Sequence, residues 1–137
     1  MTAPPPMPPA VRVAFDAFPA PARTGCLALR ALILETAAQM PEIGRIAEEL
    51  RWGEPAYLTP ETKSGSTIRL GVPKSGGYAL FVHCRTTLIA DFREIAPPDW
   101  RFDGTRAVLF DTAHPPRPEP LALLIRAALT YHRKAPS

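Results

Sequence analysis

Cysteine is scarce in this sequence: Cys26 and Cys84 are the whole complement, and they form no Cys-x-x-Cys pair. That excludes a disulfide framework and leaves two reduced thiols in a cytosolic protein as the default expectation. No apolar run approaches the ~20 residues that a membrane span needs, so no membrane partner is expected. The opening Met-Thr-Ala-Pro-Pro-Pro has neither a charged n-region nor an apolar h-region, so no secretory signal is expected either. Dense basic windows are also missing. The net charge is +3, but the basic residues are mostly arginines spread singly from Arg12 to Arg133. Nucleic-acid binding rests on a contiguous basic stripe rather than on net charge, and nucleic acid is not an expected partner.

Catalytic signatures are absent as well. Ser75-Gly76-Gly77 lacks the further glycines and the strand-to-helix setting of a phosphate loop. His83 and Cys84 are adjacent, so a regular strand points them to opposite faces and separates a thiol from its base. His114 and His132 have no spacing signature. The chain therefore reads as a binding protein rather than an enzyme, since geometry must precede residue type.

What is present is a 137-residue chain with enough apolar content for one domain. Residues 1–9 are rich in proline and are expected to form an extended, disordered tail, with residues 10–134 as a single domain. Val11, Ala14, Phe15 and Phe18 give one face of a short helix stopped by Pro19 and Pro21. A longer helix covers about Ala22 to Gln39, with Cys26, Leu29, Ile33 and Ala37 as its apolar stripe, which makes Cys26 a core residue. Pro41 suits the first position of a third helix. On that helix Ile43, Ile46, Ala47 and Leu50 face inward, Glu42, Arg45, Glu48 and Glu49 face outward, and Gly53 closes it. The acidic outward face argues against a DNA-reading helix pair.

The stretch from Ser66 to Ile95 then reads as a hairpin feeding a helix. Ile68, Leu70, Val72, Leu80 and Val82 alternate with Thr67, Arg69, Gly71, Phe81 and His83, and Pro73 with Gly76-Gly77 reverses the chain. Thr86 or Thr87 caps a helix carrying Leu88, Ile89, Phe92 and Ile95. Asp103-Gly104 marks a second hairpin, and a last helix covers about Glu119 to Arg133. Helices, then strands, then a helix is an α+β order. The expected fold is an antiparallel sheet of about four or five strands with helices on one face. Whether a sheet edge is open is not legible, so monomer and homodimer both stand.

The residues best placed to bind a ligand are Trp52, Tyr57, Arg69, His83 and Arg93, gathered near the hairpin and the turn before it. With Arg69 and His83 across from each other on the exposed sheet face, they would hold a small anion or a partner's carboxylate. The alternative is that Trp52 and Tyr57 are core aromatics and Arg69 pairs with Glu54.

Trp52-Gly53-x-Pro55-x-Tyr57, Ile68-Arg69-Leu70-Gly71, Leu80 through Thr86-x-Leu88, Phe92-Arg93 and Gly104-x-Arg106-Ala107 together resemble the YdhG-like domain family. The resemblance spans about residues 10 to 133. It implies a compact α/β sandwich with helices packed on an antiparallel sheet. Some members of that family are described as frataxin-like iron chaperones, which present surface carboxylates to transiently bound iron. By residue type the metal candidates here are Glu48, Glu49 and Glu54, with Glu42 nearby; hard cations take such oxygen ligands. This chain departs from the pattern in being net basic, with Arg45 and Arg51 interrupting the acidic group.

Overall fold

A computed structural model describes residues 5–133. Among them are helices α1 (Pro9–Ala17), α2 (Ala20–Ala38), α3 (Leu88–Ile95) and α4 (Pro118–Leu129). The strands are β1 (Ala47–Arg51), β2 (Glu54–Leu58), β3 (Ile68–Gly71), β4 (Tyr78–Phe81), β5 (Arg101–Asp103) and β6 (Ala107–Phe110). They form one six-stranded sheet in the order β1-β2-β3-β4-β6-β5, and every neighbouring pair is antiparallel. This is an α+β fold. No helix among the described residues is long and apolar enough to cross a membrane.

Strand alternation divides the sheet into two unlike faces. Tyr57, Ile68, Leu70, Tyr78, Leu80 and Val108 point to one side and join Phe15, Leu29, Ile33, Ile89, Leu121 and Leu124 from the four helices in one continuous core. On the other side the buried cluster is only Ala79, Phe81 and Ala107 with Leu109 against it. The helices thus cover a single face, as expected. The strand count exceeds expectation because the helix expected from Pro41 does not form. Pro41–Ile43 is a single 3-10 turn, ended by Gly44 at φ +73°, and the chain then enters β1.

Two interactions turn the chain there. The Arg45 backbone N–H donates to Glu61 at 2.6 Å, and the Thr62 hydroxyl donates to the Ile43 carbonyl at 2.8 Å. The helix-prone Ala-Glu-Glu-Leu-Arg segment is then recruited by β2, a case of tertiary pairing overriding local propensity.

The amino-terminal segment also differs from expectation where it is described. Met7 packs against the core, and the Pro5 carbonyl accepts a 2.7 Å hydrogen bond from Arg30. Residues 1–4 of the expected tail lie outside the described residues. The last helix ends at Leu129, so His132 and Arg133 fall beyond it. Cys26 is buried on α2, and burial, with the Glu54 charge adding, pushes its thiol up to about 12. Cys84 is exposed. Iodoacetamide at pH 8 should therefore label Cys84 in the folded chain and Cys26 only after denaturation, which intact-mass measurement reads directly.

Candidate functional site

The uncovered face of the sheet is the candidate site, and strand register builds it row by row. One row runs Glu49, Ala56, Arg69, Phe81, Ala107, Asp103 across all six strands. Beside it, Arg51 faces Glu54, and Gly71 continues through Ala79 and Leu109 to Arg101. The middle of this surface is floored by small residues, with Ala56, Ala79 and Ala107 fully buried.

Arg69 is the centre of the arrangement. Its guanidinium lies 5.1 Å from the Trp52 ring centroid and 5.4 Å from that of Phe81. Arg106 approaches the same Phe81 ring at 5.7 Å and pairs with Asp103 at 3.1 Å. Arg69 Nη1 donates to Glu54, whose carboxylate reaches across Gly71. Any side chain at 71 would collide with the Glu54 carboxylate, so glycine there permits the pair. The remaining guanidinium edge of Arg69 carries no hydrogen bond among the described residues. A planar cation fixed by two aromatic rings and one carboxylate, with free donors left over, is preorganised to take a further carboxylate.

Trp52 is the most unusual residue of the site. It and Gly53 form the two-residue turn between β1 and β2, with φ of +50° and +76°. Positive φ at both positions is what a type I′ hairpin turn requires, and Asn-Gly is its favoured sequence. A bulky residue in that conformation is strained. Trp52 is nevertheless placed there and left 85% exposed.

The other expected ligand-binding residues do not join this cluster. Tyr57 points to the covered face, fully buried, and its hydroxyl donates to Glu48 at 2.7 Å. Burial, reinforced by the neighbouring Glu48 charge, holds the Tyr57 phenol far above its ordinary range. His83 does not face Arg69, because Phe81 occupies that register position. It lies beyond β4, exposed, where its Nδ1 accepts the Arg85 backbone N–H at 3.1 Å. Arg93 is on α3, stacked over Phe102 at 4.7 Å and donating to the Gly104 carbonyl at 2.8 Å. Trp52 and Arg69 come together; Tyr57, His83 and Arg93 do not. Phe81 and Arg106 belong to the cluster and were missed, although Phe81 alternates in phase with Arg69.

The metal candidates are separated too. Glu48 lies on the covered side, 9% exposed, and pairs with the buried Arg30 at 2.6 Å, whereas Glu49 and Glu54 lie on the open face. Glu49 pairs with Arg51 at 3.4 Å, Glu54 with Arg69, and Glu42 approaches Arg133 at 3.8 Å. Among the described residues no three His, Cys, Asp or Glu side chains gather as a metal set. The outward Glu48 of the expected helix is thus an inward strand residue, because β1 replaces that helix. No known protein family, characterised protein or solved structure matches the chain, and the YdhG-like resemblance rests on the quoted motifs alone.

Proposed function

We propose that this chain is a non-catalytic binding module whose open sheet face docks a protein partner. Trp52 anchors the partner, and the free edge of Arg69 receives one of its carboxylates. The observation that carries this reading is Trp52 itself: a strained backbone position spent on an 85% exposed indole, stacked on a fixed arginine. Tryptophan and arginine are the residue types most enriched among binding hot spots. The face also carries interspersed charge, with Glu49, Glu54 and Asp103 each beside an arginine. Such a mixed surface suits a polar protein interface rather than a phosphate backbone. Iron delivery, the role implied by the family resemblance, is less well served: its carboxylates occupy two faces and each is engaged by arginine.

The test uses peptides selected from a random library against the wild-type chain. Selected sequences should carry Asp or Glu beside an apolar residue. Trp52→Asn or Arg69→Gln should each weaken them by about 2 kcal/mol, roughly thirtyfold in Kd. Trp52→Asn separates binding from folding, because asparagine relieves the turn strain and should leave the chain slightly more stable. Peptides that bind both variants as tightly as wild type would overturn the assignment.

A further inference from the structure

The opposite end of the sheet holds a cleft, which borders the open face at Leu109 and Arg101 and does not involve Trp52 or Arg69. Its volume is about 440 Å³; it lies beside β5 and β6 and is walled on its far side by Pro115 and Pro116. Trp100 and Phe110 supply its aromatic surface, set edge to face at 5.9 Å. Phe110 is itself stacked on Tyr78 at 5.1 Å, and Trp100 packs against Phe92 at 5.6 Å, so neither ring is free to collapse into the space. A prolonged apolar wall with a few fixed polar groups is the usual composition of a small-molecule site.

The polar groups select the ligand. Arg117 donates to both Asp99 oxygens at 3.0 Å, and His114 contacts Asp111 at 3.1 Å. Those hydrogen bonds hold both carboxyls below their ordinary range, so both acids stay ionised and keep their partners engaged. Arg101 is different: it lines the cleft, is exposed, and has no carboxylate partner among the described residues. Trp100 Nε1 is buried without a hydrogen-bond partner among the described residues, so it is not presented to the cleft. Arg117 lies over that indole at 5.1 Å, held only by an exposed pair with Asp99. The cleft therefore offers an aromatic, apolar wall and one uncommitted cation.

We propose that this cleft binds a small planar aromatic carboxylate, its ring against Trp100 and the proline wall and its carboxylate on Arg101. A cationic or sugar-like ligand would leave Arg101 unpaired and the aromatic surface poorly covered.

The experiment is calorimetric titration of the full chain with 2-naphthoate and, as its neutral counterpart, 2-naphthylmethanol. Indole N–H resonances are followed in parallel. The expected result is saturable binding of 2-naphthoate, about tenfold tighter than the alcohol, since a charge-assisted contact has that order of effect. The Trp100 indole signal should move and that of Trp52 should stay. Arg101→Gln, an exposed change that spares the fold, should bring the acid down to the affinity of the alcohol. Equal affinities for acid and alcohol, an unaltered preference in Arg101→Gln, or no saturation by either compound would each overturn the proposal.

Discussion

Replacing Glu48 with alanine should cost the fold about 3–5 kcal/mol, the range for breaking a buried ion pair from one side. Arg30 is 5% exposed on α2 and donates two hydrogen bonds to Glu48, at 2.6 and 2.9 Å. Glu48 is what raises the Arg30 guanidinium above its ordinary value, and without that partner the guanidinium, always protonated in proteins, is left buried as an unpaired charge. The substitution also strips Tyr57, whose buried hydroxyl has Glu48 as its acceptor. Set against a typical domain stability of about 5–15 kcal/mol, the loss is large, and thermal unfolding should shift down by roughly 10–17 °C. Pairing Arg30→Met with Glu48→Leu should recover part of it, because no uncompensated charge is then left inside. A Glu48→Ala chain within about 1 kcal/mol of wild type would contradict this, showing that Arg30 is rehydrated or finds another partner once Glu48 is gone.

Gly77→Ala should destabilise by about 3 kcal/mol, and Gly76→Ala by only about 1 kcal/mol. Both glycines sit in the β3–β4 connection at positive φ, +95° at Gly76 and +70° at Gly77. A methyl group at 76 would meet nothing within 4 Å, so conformational strain is the whole cost there. At 77 it would drive into the Phe110 carbonyl of β6, a backbone atom that cannot move aside without disturbing the Tyr78–Phe110 register pair. Denaturant titration of the two variants side by side separates strain from collision. Equal losses would show that β6 yields at that point.

Legibility from the sequence followed the apolar pattern and failed where polar residues were buried. The stripe Cys26, Leu29, Ile33, Ala37 and the alternation through Ile68, Leu70 and Leu80 placed α2 and the central hairpin, because apolar period and burial coincide there. β1 was hidden for the opposite reason. Ala-Glu-Glu-Leu-Arg favours a helix locally, and its inward residue is a glutamate whose partner, Arg30, is distant in sequence. The Trp52-Gly53 pair did carry a usable sign, since two five-residue runs flank it as arms of a two-residue hairpin. At the site, Trp52 and Arg69 were recognisable as an amphipathic pair. Their association with Phe81 and Arg106 depends on the register of β3 with β4 and of β4 with β6, which single-chain patterning does not specify.

The docking role of the open face is tested most directly by amide chemical-shift mapping with a selected acidic peptide. The expected perturbations fall on Arg51 to Ala56, Arg69 to Gly71 and Ala79 to Phe81, and the Trp52 indole N–H moves with them. At a peptide concentration near the wild-type Kd, Arg69→Gln should largely remove the pattern, in keeping with a roughly thirtyfold weaker Kd, while its peptide-free spectrum stays that of a folded chain. Perturbations confined to the helices, or an undiminished response in Arg69→Gln, would contradict the assignment of this face as the binding surface.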